Sequence, residues 1–589
     1  MKQKLKLLPL QMILAILPFL LCLRVESSGL GAYPWNSADD RYVDIFLQGK
    51  MVTFIALAAV LLCLTVYKLV NMDKQERKQN LLRFIPLLLY LFFVLLSTIG
   101  SENMNYSLWG AMDAKEPVTV LAGYVTVALY TYLIIDSVED IRQLAVAAVA
   151  GGFCMAVLGV LQAIGKDPLM LKEVQVLFAG RKFMETYGSM KLSFPVGMAY
   201  GTLYNPNYVG TYVAMYAPLA ALGLVLFQSA WKKVVCGGTC LGLLVMLFAS
   251  QSRTGLISIA VVIIVAIIFF GKGLWKRWHY VVPAAVLAVA AFFIVDSQRD
   301  FLLTSRLKEM FMLRPSEDPV QGVDTTGDGV RVLYKNTEFT IKMPVSGMFF
   351  EYVVLEGPES KEVFYEENKS YGYFTLSNGD TIAIQTSLYK NNYAFGLNIN
   401  GRIFYFTNQP VAGDYKYINE RGRLDECVIP DNVFPGYEAT ASGRGYVWGR
   451  TIPLLRDRLV TGSGPDTFVL CFPQNDYVAR YRCGFDDTIF TRPHNFYLQM
   501  GVQTGVLSLV SFLAFYVIYF VRSCVLYCFK KFSKQEEWMG FILFLSTVGF
   551  MAAGFANDSL IVVSPVFYVL LGAGMAVNNK FFLKRKEGK

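Results

Sequence analysis

Long apolar runs separated by short polar stretches dominate the hydropathy pattern of this chain. Twelve of them come near the roughly 20 residues that a helix needs to cross a hydrocarbon core: 6–23, 49–70, 82–99, 118–135, 142–164, 208–227, 232–249, 254–271, 279–296, 500–521, 538–555 and 559–577. Between the ninth and tenth runs lies a long polar segment, 297–493, and within it residues 331–418 alternate and are rich in aromatic and β-branched side chains, as at 373–377, 381–388 and 402–407. Ser377-Asn378-Gly379-Asp380 and Asn400-Gly401 punctuate them, and Asn-Gly between alternating runs is a strong hairpin signal. The stretch at about 325–425 therefore predicts a small antiparallel β-rich insert, of roughly seven to nine strands at five or six residues each. From 440 the pattern becomes helix-like over 447–459, then a loop at 461–467, then a polar stretch to 493, so that 440–493 reads as the part closest to the membrane. The predicted fold is an all-α polytopic membrane protein of about twelve transmembrane helices with a large extracytoplasmic loop carrying the β-rich insert. Its regions are 1–296 with nine helices, 297–493 outside the membrane, and 494–589 with three helices.

Charge sets the orientation. Lys2, Lys4 and Lys6, the loops 74–83, 232–233, 272–277 and 522–534, and the tail 580–589 all fall on one side if there are twelve spans. Because Lys and Arg resist translocation, that side is predicted to be cytoplasmic, with both termini on it. One loop there, 136–142, is acidic and runs against the scheme. The formal net charge of +9 is thereby mostly a matter of topology and does not indicate nucleic-acid binding. Run 6–23 also fits a signal peptide, but 19–28 offers no small-x-small cleavage site, which favours an uncleaved helix. Composition agrees with membrane residence: 54% hydrophobic, 17% charged and a mean hydropathy of +0.41 exclude a water-soluble enzyme and a disordered chain. Ten cysteines are too few for a disulfide scaffold. Cys427, Cys471 and Cys483 are odd in number on the outer side, which allows one disulfide at most, with Cys471 and Cys483 the candidate pair.

Few residues are positioned for chemistry. Of the two histidines, His279 sits at an inner membrane edge beside Trp278, whereas His494 stands between Pro493 and Asn495 where the tenth run begins on the outer side. Its imidazole there can act as a base or hydrogen-bond donor, or simply serve a helix start. Ten arginines and no lysine lie between Lys416 and Lys530. Guanidinium binds phosphate or carboxylate bidentately and stays charged near a membrane, although a solvated face balanced by Asp457, Asp466, Asp476, Asp486 and Asp487 accounts for most of them. Arg444 and Arg450 flank Tyr446 and Trp448 near the membrane and are the better candidates for anion binding. Arg253, in Ser250-Gln251-Ser252-Arg253-Thr254-Gly255, lies at an outer boundary between two runs, as an interface anchor or a phosphate contact. Gly462-Ser463-Gly464 can present N–H groups to an anion or form a turn, and Asn205-Pro206-Asn207 reads as a cap and turn. The chain has no His pair, no H-E-x-x-H and no C-x-x-C, so no metal motif.

The order of these signals is more specific than any one of them. Ser252-Arg253-Thr254-Gly255 at the start of a span is followed by a large outer loop with Arg444-Gly445-Tyr446-Val447-Trp448-Gly449-Arg450 and Gly462-Ser463-Gly464. His494-Asn495-Phe496-Tyr497 and Thr504-Gly505 come next, with Asn205-Pro206-Asn207 upstream. Together they resemble the O-antigen ligase and polymerase family over about 200–520. The resemblance implies a GT-C-like helical membrane glycosyltransferase, independent of metal and cofactor. Such an enzyme takes a glycan from an undecaprenyl-diphosphate carrier at the outer face of the plasma membrane and passes it to an acceptor hydroxyl. Carried over by residue, Arg253 and Arg444 hold the diphosphate with Arg450 as a further contact, and His494 orients or deprotonates the acceptor. Asn495, Gly462, Gly464 and Asn207 support the site. The implied partners are membrane lipid, the lipid-linked donor, and a glycan, wall-polymer or protein acceptor.

The β-rich insert departs from the plain family pattern and leaves the acceptor open. Its aromatics, among them Tyr371, Tyr373 and Tyr405, can stack on sugars or fill a strand core. A polymerase of lipid-linked repeat units shares the same membrane core. A transporter of lipid-linked sugar is disfavoured, because transporters concentrate ionisable and helix-breaking residues at the midplane and these runs hold almost no charge.

Overall fold

The computed structural model describes residues 5–275, 318–343, 352–368, 370–390, 392–409 and 413–581, with isolated positions between 276 and 317. The ninth expected span, 279–296, thus lies outside the described residues apart from isolated positions, as do Lys2, Lys4 and the tail beyond Phe581.

Among the described residues eight helices are long and apolar enough to cross a membrane: Gln48–Val70, Lys74–Ile99, Val138–Ala163, Pro206–Leu226, Ala230–Ser250, Arg253–Gly271, Val506–Tyr527 and Gln535–Ala553. Val118–Ile134 is apolar but shorter. Three of the expected runs are interrupted in the structure. The first breaks up, because helix Leu8–Ala15 gives way to a tight turn at Leu17–Phe19 around Pro18 and then to strand Arg24–Ser27; proline has no N–H to continue a helix. The tenth is two helices, Phe496–Thr504 and Val506–Tyr527, parted at Gly505 with φ of 93°, a value suited to glycine. The twelfth helix starts only at Ser564, which leaves Asn557, Asp558 and Ser559 outside any helix in the middle of an apolar stretch.

Basic residues gather at one end of the bundle. Lys6 pairs with Asp140 at 3.0 Å and Lys580 with Asp136 at 3.2 Å, while Arg83 donates to Tyr132 and Arg522 to the Asn578 carbonyl. The acidic loop at 136–142 that ran against the charge scheme is therefore neutralised by the lysines of the two terminal segments. At the opposite end the loops fold together: Tyr106 donates to the Ser28 carbonyl, Lys115 pairs with Glu26, and Arg458 pairs with Glu102 at 2.8 Å.

The described residues of the insert contain twelve strands, more than the seven to nine expected, because two- and three-residue strands such as Phe364–Tyr365 and Leu424–Asp425 carry no alternation to read. They form a five-stranded sheet over 320–361 and a seven-stranded sheet over 364–425, antiparallel throughout. The two pack face to face through one core, with the Phe339 and Phe374 rings 5.2 Å apart and Val332, Ile341, Ile384, Phe395 and Phe404 buried around them. This sandwich is held to the membrane part by Arg423, whose guanidinium donates to the carbonyls of Gly31, Ala32, Tyr33 and Asn36.

Candidate functional site

Four chain segments meet at the end of the bundle opposite its basic end. Helix Pro206–Leu226 is capped by Asn205, which accepts from the Asn207 N–H. Its Gly210 lies against Gly255 so closely that a Cβ would sit 2.4 Å from the Gly255 Cα, the close approach that small residues permit between apolar helices. That contact fixes Asn207 beside the start of the helix that carries Arg253, where the Asn207 carbonyl accepts from Ser252. Arg253 in turn donates to Ser442, two residues before helix Arg444–Leu454. Asn557 closes the group by donating to the Asn207 carbonyl at 3.1 Å and to Thr211 at 3.0 Å.

Asp558 is the hub. Its carboxylate accepts from the Asn495 N–H at 3.0 Å and faces His494 Nδ1 at 3.1 Å. Asn495 caps helix Phe496–Thr504 through the N–H groups of Tyr497 and Leu498, and its amide donates to the Phe555 carbonyl. His494 itself takes a left-handed φ of 53°, which turns its ring out of the helix line and leaves the side chain half-exposed while Asp558 is wholly buried. Burial pushes the Asp558 carboxyl up, but the hydrogen bond and charge of His494 and the charge of Arg492 outweigh it and hold the carboxyl below its usual value. Ionised Asp558 is an acceptor, so Nδ1 donates to it, and in the neutral imidazole Nε2 is then the ring's acceptor.

Cations surround this hub. Arg444 donates to the Ala556 carbonyl at 2.9 Å, and its acidity is raised by burial and by the nearby charge of Arg253, against the pull of Asp558. Arg492 donates to the Tyr208 hydroxyl at 2.9 Å beside the rings of Tyr204 and Tyr208. The Nε–H donors of Arg444 and Arg492 are shielded from solvent and without a hydrogen-bond partner among the described residues. Trp448, one helical turn from Arg444, donates to the Pro493 carbonyl at 3.0 Å and so ties that helix to the His494 segment.

Beyond Arg492 lie two buried carboxyls. Glu116 accepts from Tyr124 and from Ser559, and Asp466 accepts from the Glu116 and Ala111 N–H groups. Burial raises Glu116 to about 8 and Asp466 to about 7, so neither brings a full negative charge to the site at neutral pH. Arg444 and Arg492 then act on the ionised Asp558, with Arg253 near Arg444 and Asp113 a second carboxylate near Arg492, an excess of positive charge that suits an anion. Protons held by folded Glu116 and Asp466 but not by the unfolded chain make stability fall as pH rises from the ordinary carboxyl range through about 8. The melting temperature of the detergent-solubilised protein is expected to drop from pH 6 to pH 9, by on the order of a few kcal/mol of stability, and Glu116→Gln to flatten that slope. A wild-type melting temperature that holds or rises across this window would discard the neutral-carboxyl assignment.

Several expected residues lie elsewhere. Arg450 stands six residues after Arg444, which places the two side chains about 120° apart around the helix. It is buried against Asp476 and over the Tyr446 ring at 4.1 Å, with Glu438 at 4.0 Å, and among the described residues it makes no hydrogen bond or ion pair with the Asp558 group. Arg450, expected as a further diphosphate contact, is placed by the structure in an ion pair with Asp476, apart from the Asp558 group. Arg450→Ala is expected to strand Asp476 and to cost about 3–5 kcal/mol, measured as a melting shift. A double Arg450→Ala, Asp476→Ala variant that loses the sum of both single effects would refute the pairing. Gly462 and Gly464 are likewise packing elements: their N–H groups donate to Ser97 and to the Gln503 carbonyl, and a Cβ at Gly462 would meet the Gln503 backbone at 2.2 Å. Cys471 and Cys483 are both free thiols, Cys471 being turned to the Phe468 carbonyl and Ser463.

Arg492, Asn557 and Asp558 belong to the site although the motifs did not mark them. Asn557-Asp558 between two apolar runs is itself a signal, since an ionisable group in such a stretch is costly and is usually functional. Among the described residues no group of three His, Cys, Asp or Glu side chains is arranged to hold a metal ion. The sequence model of the O-antigen ligase family matches residues 415–513. The matched segment includes Arg444, Arg492, His494 and Asn495, while Arg253, Asn207 and Asp558 come to the site from outside it. No curated protein and no solved structure matches the chain.

Proposed function

We propose, on the premise of the O-antigen ligase match over residues 415–513, that this membrane protein transfers a glycan from an undecaprenyl-diphosphate carrier to an acceptor hydroxyl at the outer face of the plasma membrane. The observation that carries this reading is the Asp558 hub, which combines a half-exposed imidazole with two nearby guanidinium groups, Arg444 and Arg492, whose Nε–H donors have no partner among the described residues. In this reading His494 Nε2 takes the acceptor proton as its oxygen attacks the anomeric carbon. The bond from that carbon to the diphosphate oxygen breaks, and the departing diphosphate keeps the electron pair. Arg253 and Arg444 hold the diphosphate and stabilise the charge as it develops, a role that guanidinium fulfils without a metal ion. One base and an in-line acceptor suffice for this displacement, which inverts the anomeric carbon. The basic end of the bundle is the cytoplasmic one in this reading, with the site and the β-sandwich opposite it.

The test is purified protein with a lipid-diphosphate-linked oligosaccharide and chelator present, following released carrier and the size of the glycan product. Single transfer to an added acceptor supports a ligase, and growth in repeat units supports a polymerase. Lipid-linked glycan moved across liposomes without carrier release would replace the enzyme by a transporter.

A further inference from the structure

The outward face of the seven-stranded sheet has an unusual chemistry. Strand pairing places Tyr371 opposite Gln385, Gln385 opposite Gly396, and Gly396 opposite Tyr405, so these four form one row across adjacent strands. Successive side chains on a strand point to opposite faces; the neighbours Phe374, Ile384, Phe395 and Phe404 fill the core, and the row therefore points outward. Gly396 allows the Tyr405 ring to lean across it, since a Cβ there would lie 3.0 Å from that ring. Beside Tyr371, the Tyr373 ring is 6.4 Å away with its plane inclined by 27°, making a strip of two nearly parallel aromatic faces. Between the strip and Tyr405 sits Gln385, whose amide oxygen is shielded from solvent and has no hydrogen-bond partner among the described residues.

Charge is sparse on this face, where Tyr373 donates to Glu366 and Lys416 lies on the next strand, and plentiful around it. On strands Tyr371–Thr375, Thr381–Tyr389, Asn392–Ile399 and Arg402–Thr407, the outward positions in register with the row carry no Asp, Glu, Lys or Arg. The rest of the sandwich surface is laced with ion pairs, among them Lys335–Asp380, Lys342–Asp328 and Lys361–Glu356. An anionic ligand would find only Lys416, on the next strand and already paired with Asp414 and Glu426, and a bilayer would find neither a basic rim nor a broad aliphatic patch. Sugars suit what is present: their C–H faces lie on the electron-rich faces of aromatic rings, and their hydroxyls donate to an amide oxygen that lacks a partner.

We propose that this face binds a neutral glycan chain, with sugar rings on Tyr371, Tyr373 and Tyr405 and a hydroxyl on Gln385. The site is separate from the Asp558 hub and does not depend on the transferase reading. The full-length protein in nanodiscs, titrated calorimetrically with cello-, malto-, chito- and manno-hexaose and with an oligogalacturonate, tests it. At least one neutral hexaose is expected to bind, with Tyr405→Ala and Gln385→Ala each weakening it about tenfold. Tyr405→Phe, which keeps the ring, is expected to bind as wild type does, and so is His494→Ala. Binding of none of the neutral probes, preference for the oligogalacturonate, or unchanged affinity in Tyr405→Ala would each overturn the proposal. Loss of binding in His494→Ala would also overturn it, by assigning the glycan to the other site.

Discussion

Replacing His494 by alanine is expected to lower turnover of the lipid-linked donor by about 10²–10⁴, the usual contribution of a positioned base. The fold should survive, because the side chain is half-exposed and its one hydrogen bond, to Asp558, leaves that carboxylate still held by the Asn495 N–H. Asp558→Asn probes the same step from behind. An asparagine retains the shape but not the charge, so it neither enforces Nδ1–H nor stabilises the imidazolium that forms. A large loss in kcat with a small change in KM is the expected signature, since the carboxylate is buried and does not reach the donor. Turnover within twofold of wild type in His494→Ala would remove the base from the mechanism. A full loss in Asp558→Asn with an unfolded protein would reduce Asp558 to a structural role, which a melting curve on the same sample decides.

The second large effect is expected at the guanidinium pair. Arg253→Ala and Arg444→Ala should each reduce turnover by about 10²–10³, the range seen when one group stabilising developing charge is removed. Arg444→Lys should recover little, because an ammonium is a compact point charge and lacks the planar fork that grips two phosphate oxygens. Inorganic pyrophosphate separates a binding role from a merely structural one. It is expected to inhibit the wild-type protein competitively with the donor, and to inhibit the arginine variants far more weakly at matched residual activity. Equal inhibition constants in wild type and Arg444→Ala would move the diphosphate away from this arginine. Arg492 is a contrasting case: it is buried between the Asp558 hub and the Glu116–Asp466 pair and bonded to Tyr208, so its loss should disturb folding as well as turnover.

Much of the fold was legible in the chain because a bilayer imposes a length and a composition on whatever crosses it. Eight of the expected spans appear as long apolar helices close to the runs read from hydropathy. The insert was visible from its alternation and its Asn400-Gly401 turn. What hydropathy could not see were interruptions by single residues. Gly505 splits one run, and 557–559 leaves the helix inside another, because a turn changes backbone direction without changing the average polarity around it.

The site divides in the same way. Sequence alone singled out Arg253, Arg444, His494, Asn495 and Asn207, since their types are rare at membrane boundaries and their order is specific. It could not tell Arg444 from Arg450, because neighbouring arginines on one helix differ only in the direction they face, and that is decided by which buried carboxylate each meets. Asp476 claims Arg450, while Asp558 and Ala556 meet Arg444. Nor could it join Asp558 to His494 across sixty-four positions of chain. Residue type and spacing along the chain determined that this protein lies in a membrane with arginines and one histidine at the boundaries of its apolar runs. Only the packing of helices through Gly210 and Gly255 and the break in the chain at 557–559 decided which of those charges share a site, because charges act through space and the sequence records only their order.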